Sequence, residues 1–200
     1  MILIIFGEGK NDNHYIGEVF SHLSYGFYER EFNAEEIHPD ERYPKESRTI
    51  RDFIRLRRGE RALLMKSEQG RPQLKSVISN FLFDLANRAV HFGVVLDLDG
   101  DPVESIIEDI DEQVQSRSQQ SVSVAEYDIV STNEDFHAIK CKVLNNGNHL
   151  DTFGMVAFHE DLETAVGIEG SEPREEREQA IREYVNNNPS YAHLVETALV

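Results

Sequence analysis

The sequence predicts an α/β domain with a mostly parallel central sheet flanked by helices, followed by a C-terminal helical extension. Three observations carry that prediction. Short continuous apolar runs rich in β-branched residues, at 2–6, 62–65 and 92–96, read as strands buried on both faces. Each run is followed by a turn-forming stretch and then by apolar residues at helical spacing. Strands and helices alternate along most of the 200 residues, which is the order that builds a parallel sheet.

The first run, ILIIF, is stopped by Gly7 and Gly9. Tyr15, Ile16, Val19, Phe20 and Leu23 then share one face of a helix expected over 11–23, with Asn11 or Asp12 able to cap its start. Residues 24–61 are polar and mixed, and the stretch HPDERYPKES holds two prolines. They read as an irregular connection or insertion, ending in a short helix over 49–57. Residues 62–65 form the second expected strand. The turn SEQGRP then places Pro72 in the first turn of a helix that Leu74, Val77, Ile78, Phe81 and Leu85 continue to about residue 88. Residues 92–96 form the third strand and deliver an acidic cluster. Pro102 opens the next helix, with Val103, Ile106, Ile107, Ile110 and Val114 on its apolar face.

Residues 116–123 read as a polar low-complexity linker. Strands are expected at 127–130, 138–143 and 155–158, and helices at 172–186 and 191–199, parted by NNNPS. The domain reading is therefore 1–170 as the α/β unit, with 24–61 as an insertion, and 171–200 as the helical extension. A 40% apolar composition supports a real core in a chain of this length.

Charge and composition bound the function. The balance of 20 basic against 37 acidic residues, a formal charge of −17, argues against coating nucleic acid through an overall basic surface. It leaves room for an enzyme that meets phosphates through divalent cations. Cys141 is the single cysteine, so neither a disulfide within the chain nor a thiolate metal cluster can form. The apolar start is too short for a signal peptide, and no run approaches the roughly 20 apolar residues of a membrane span. The expectation is a soluble, cytoplasmic protein with no membrane partner.

The chemistry-bearing residues gather at expected strand ends, where ligands bind in parallel sheets. Glu8 lies just past the first strand, and Asp97 and Asp99 lie at the end of the third. One residue separates the two aspartates, so in extended backbone both would point the same way. If these strands are neighbours, three carboxylates converge, raising their pKa values. Hard oxygen donors of this kind suit Mg²⁺ or Mn²⁺. Lys10 stands where it can contact a phosphate or balance the acids. The plainer reading is that these acids are solvated and cap the following helix. Arg55, Arg57, Arg58 and Arg61 form a basic cluster that serves either as a solvated face or as a phosphate contact. His14 and His22 are too far apart to share a metal, and no Walker loop, Gly-x-Gly-x-x-Gly turn or Gly-x-Ser-x-Gly elbow is present. The acidic, glycine-spaced stretch 160–170 reads as a loop over the site.

"IIFGEGKND", with Glu8, Gly9 and Asp12, followed by "GVVLDLDGD", with Asp97 and Asp99, resembles the Toprim domain. That domain is shared by topoisomerases, bacterial-type primases, OLD-family nucleases and ribosomal-RNA maturation nucleases. Its signature is a hydrophobic strand ending in a Glu-Gly turn, then a later one ending in Asp-x-Asp. "EGKND" before a helix looks most like the small stand-alone Toprim proteins and the RNA-maturation enzymes. The spacing from Glu8 to Asp97 requires the 24–61 insertion. The resemblance implies Mg²⁺-dependent phosphodiester chemistry on nucleic acid, nuclease-like. Glu8 would be the acid/base or a metal-linked carboxylate, Asp97 and Asp99 would hold Mg²⁺ (or Mn²⁺), and Asp101 would be an extra ligand. Lys10 and Arg71 are the candidate phosphate contacts. DNA and RNA are equally compatible, and so is a homodimer.

Two other readings compete. "VVLDLDGDPVES" also looks like the first motif of haloacid-dehalogenase-type phosphatases, with Asp97 as covalent nucleophile. Ser131 or Thr132 would then imitate their second motif, and Glu160 and Asp161 the last acidic one. The other alternative is a non-catalytic Toprim-fold interaction module.

Overall fold

The computed structural model describes residues 1–33, 42–117, 121–169 and 172–200. In chain order the strands are β1 (Ile2–Gly7), β2 (Tyr28–Asn33), β3 (Ala62–Ser67), β4 (His91–Asp97), β5 (Val122–Thr132), β6 (Phe136–Asn145) and β7 (Asn148–Phe158). The helices are α1 (Lys10–His22), α2 (Arg42–Leu56), α3 (Arg71–Ala86), α4 (Val103–Arg117), α5 (Leu162–Val166), α6 (Arg174–Asn187) and α7 (Pro189–Leu199). The strands form one sheet in the order β2-β3-β1-β4-β7-β6-β5. The first five of these run parallel, and β6 and β5 add an antiparallel flank.

The continuous apolar runs have a direct physical cause. β1 and β3 lie inside the sheet with every residue buried, because both faces are covered. On one face Ile4, Phe6, Leu64 and Leu96 pack against Leu74 and Phe81 of α3 and Ile106 and Ile110 of α4. On the other, Leu3, Ile5 and Val95 meet Ile16 and Val19 of α1, Ile181 of α6 and Val195 of α7. A strand with helices on both sides has no face left for polar alternation. The expected C-terminal extension thus forms α6 and α7, which complete a face of the sheet.

Two paired glycines set how closely α7 approaches. Gly93 and Gly154 are register partners on β4 and β7. A Cβ on Gly154 would lie 2.2 Å from the Ala198 carbonyl oxygen, and one on Gly93 would lie 2.5 Å from Leu199 Cδ2. The last turn of α7 therefore rests on bare sheet backbone.

The stretch read as an irregular connection departs from that expectation. It holds β2, which pairs in parallel with β3 at the sheet edge, and α2, which starts at Arg42 rather than at 49. β2 was hidden because its sequence, YEREFN, is that of an edge strand with charged side chains. Part of the insertion, 34–41, lies outside the described residues, as do 118–120 of the expected linker. The rest of that linker is the end of α4 and the beginning of β5. No helix among the described residues is long and apolar enough to cross a membrane.

The glycine contacts yield a paired test by urea unfolding. Gly154→Ala is expected to lower stability by about 1–3 kcal/mol through overpacking against α7. Gly17→Ala in α1, where the nearest atom to the new Cβ would be 3.8 Å away, is expected to raise it by about 0.5–1 kcal/mol. Equal effects at both positions would refute the close seating of α7.

Candidate functional site

The site begins where β1 and β4 end. The strands are parallel neighbours, with Gly7 opposite Val95, two residues before Asp97. The chain leaves β1 at Glu8, and Glu8 Oε1 accepts a hydrogen bond from the Asp97 backbone N–H at 3.1 Å. Asp97 closes β4, and its Oδ1 accepts from the Leu162 N–H at 3.2 Å. Asp12, the third residue of α1, turns back so that its Oδ2 accepts from the Gly9 N–H at 2.9 Å. Gly7 permits that turn, since a Cβ there would sit 2.7 Å from Asp12 Cβ. Three carboxylates, Glu8, Asp12 and Asp97, thus gather at the carboxyl edge of the sheet.

Their protonation follows from their surroundings. Burial, then the Glu8 charge, pushes Asp97 up to about 7, against the partial relief of the Leu162 N–H. Burial also raises Glu8, opposed by the Asp97 N–H and by Arg71. Asp12 is held well above the usual carboxylate range by burial first and by the Asp97 charge second. Carboxylic acids removed from water and set beside one another keep their protons longer.

Asp99 and Asp101 do not join this group as the extended-backbone expectation required. β4 ends at Asp97, and residues 98–101 form a tight turn closed by the Asp101 N–H donating to the Leu98 carbonyl at 2.8 Å. Asp99 and Gly100 both have positive φ, 50° and 80°, as in a mirror-image turn. The turn brings Asp99 onto Arg71, and from there its charge still acts on Glu8. Asp99 and Asp101 instead bind Arg71, the first residue of α3, with Asp101 Oδ2 at 2.8 Å from Arg71 Nη1. Arg71 Nε also lies 3.6 Å from Glu8 Oε1. The expected phosphate contact Arg71 is therefore engaged by three carboxylates.

A cavity of about 580 Å³ opens beside the acids, at the ends of β1, β3 and β4 and the start of α1. Lys10 lines it, as do Glu68, Glu163 and Arg177. Within the stretch read as a loop over the site, residue 170 lies outside the described residues, and the rest includes α5. Besides the Leu162 contact to Asp97, Glu163 Oε1 accepts from Asn11 Nδ2 at 2.6 Å. Glu68, Glu163 and Arg177 were not singled out from the sequence. Only Glu163 had a signal there, its place in that loop. The cluster Arg55, Arg57, Arg58 and Arg61 sits at the opposite rim, before the start of β3. Arg57 stacks 3.4 Å over the Tyr28 ring and pairs with Glu60, while Arg55 pairs with Asp52.

Among the described residues, no group of three or more His, Cys, Asp or Glu side chains is arranged to cage a metal ion. Two carboxylates beside an open cavity fit a different kind of site. Mg²⁺ is commonly bound through one or two carboxylates while keeping several waters, and Glu8 and Asp97 are the residues that would hold an ion of that kind.

No family model matches this chain, and no curated protein matches it. Two solved structures of de novo designed proteins with a P-loop NTPase fold align over 96% of this chain and 96% of theirs. Their identity to it is 14%, with TM-scores of 0.36 and 0.33.

The raised acids make a signed prediction for metal-free protein. Asp97 has an ordinary value of 3.8 and a folded value of about 7, so between these the folded chain binds more protons than the unfolded one. Its contribution to stability is present below about pH 4 and is lost as pH rises towards 7. In EDTA, the melting temperature of the wild type should fall relative to that of Asp97→Asn across this window. Parallel profiles for the two proteins would count against burial of the Asp97 charge.

Proposed function

We propose that this chain is a Toprim-like enzyme performing Mg²⁺-dependent phosphodiester chemistry on nucleic acid, nuclease-like in outcome. The observation that carries the reading is the meeting of Glu8 and Asp97 at the carboxyl ends of neighbouring parallel strands. Asp97 and Glu8 would hold the Mg²⁺ (or Mn²⁺) ion. The ion, when bound, offsets charge on phosphate oxygens and acidifies a bound water. Glu8, whose pKa lies above the usual glutamate range, suits proton transfer nearer neutral pH. Lys10, at the first position of α1, stands beside backbone N–H groups that favour phosphate. Asp99 and Asp101 hold Arg71 next to Glu8, so ligation by them would require those ion pairs to break.

The phosphatase alternative gains no support from β5, which carries Ser131 and Thr132 three strands away from β4 at the far edge of the sheet. The non-catalytic module is separated from the enzyme by experiment.

Calorimetric titration of Mg²⁺ into wild type, Glu8→Gln and Asp97→Asn, together with cleavage assays on labelled DNA and RNA, tests the reading. Asp97→Asn should weaken Mg²⁺ binding by about tenfold or more, the loss of one charged ligand. Glu8→Gln should slow cleavage by about 10²-fold or more. Unchanged Mg²⁺ binding in Asp97→Asn would reject the site. Binding without turnover would favour the interaction module, and a beryllofluoride adduct on Asp97 would favour the phosphatase.

A further inference from the structure

The two cationic residues expected to meet substrate phosphate were Lys10 and Arg71, and Arg71 is already neutralised by Glu8, Asp99 and Asp101. The cavity itself is lined by two other guanidinium groups, those of Arg174 and Arg177. α6 is anchored by Ile181 and Val185, which are buried in the helical layer that also contains α1. Its start presents Arg174, Arg177 and Glu178 to the cavity, at the i, i+3 and i+4 positions of one helix face. Arg174 is engaged by Glu178 at 2.5 Å, and farther along the helix Arg182 pairs with Glu18 at 3.0 Å. Arg177 is different. Its side chain makes no ion pair among the described residues, and its Nε is buried without a hydrogen-bond partner.

That is an odd state for an arginine in a chain of net charge −17. A buried donor without a partner costs free energy, more so when it is charged. Acids are plentiful around this cavity, yet among the described residues none of them pairs with Arg177. A guanidinium kept apart from carboxylates at the wall of a polar cavity presents a planar fork that matches phosphate oxygens. The space between it and the carboxylates, about 580 Å³, lies in the range of ligand pockets.

We propose that Arg177 receives a substrate phosphate across the cavity from Glu8 and Asp97, which makes α6 part of the nucleic-acid site. This inference rests on reading the cavity as the phosphodiester site. The substrate it implies is a nucleic-acid segment, one of whose phosphates approaches the carboxylates while another meets Arg177.

The test uses fluorescence anisotropy of a labelled oligothymidylate single strand with the full chain, with Ca²⁺ in place of Mg²⁺, over a series of salt concentrations. Arg177→Gln should weaken binding by about tenfold and reduce the slope of log K against log salt by about 0.7, the loss of one phosphate contact to a single strand. Arg177→Lys, which keeps the charge, should keep the slope while losing part of the affinity. Mg²⁺ isotherms of both variants should match the wild type, and the melting temperature of Arg177→Gln should be no lower than the wild type's, since the unpartnered donor is removed. A residue that merely supports the fold would move the melt and leave the salt slope alone. Unchanged slope and affinity in Arg177→Gln would overturn the inference, as would a wild type that binds no oligonucleotide, and in either case Mg²⁺ binding at Asp97 would still stand on its own measurement. Oligonucleotide binding that depends on Arg177 in a protein that binds no Mg²⁺ would uphold the anion contact and remove the metal-dependent reading.

Discussion

Everything at the carboxyl edge of the sheet depends on one constraint, the parallel pairing of β1 with β4 under helices on both faces. Once the two strands are locked in register, the residues that follow them have little freedom. Glu8 must leave β1 beside the last residue of β4, and its carboxylate takes the backbone N–H of Asp97. Asp12 arrives from the other side, admitted by the missing side chain of Gly7. Burying like charges together is unfavourable, and the fold answers with the N–H groups of Gly9, Asp97 and Leu162 and with Arg71. The raised carboxyl pKa values are the part left uncompensated, and such a cluster favours either protons or a bound cation.

The surroundings of that edge are also built from charge held in place. Beside the cavity, Lys66 of β3 is fully buried with Glu68 and with Glu46 of α2, the latter 3.2 Å away. A buried group of this kind is weak evidence for stability, but it fixes Glu68 at the end of β3 and ties α2 to the sheet. On the other flank, the turn after β4 is held by the Asp99 and Gly100 N–H groups donating to the Glu160 and His159 carbonyls. The turn that orients Asp99 towards Arg71 is therefore coupled to the segment that supplies Leu162 to Asp97. The two halves of the expected acidic motif serve different partners, one in the buried cluster and one in the ion pair at its rim.

The elements that could be read from sequence were those whose pattern has a local cause. ILIIF, ALLM and FGVVL are continuous because helices cover both faces, and the helices after them show the one-sided spacing of a surface helix against a core. β2 escaped because an edge strand need not be apolar, and YEREFN resembles a loop in composition. The Asp97–Asp99 alternation holds only in extended backbone, whereas Asp99 and Gly100 turn the chain through positive φ. Glu163 and Arg177 come from segments far along the chain, and nothing near them in sequence points back to Glu8.

The sequence by itself determined the α/β class, the strands that carry the acids and the helices that cover them, because periodicity and composition register burial residue by residue. Only the tertiary structure decided which strands are neighbours, that Asp12 packs beside Glu8 and Asp97 while Asp99 meets Arg71, and that Arg71 faces three carboxylates while Arg177 forms no ion pair among the described residues. Those outcomes depend on strand order, turn geometry and contacts between distant segments. They are set by how elements pack in space, which no local pattern of residues encodes.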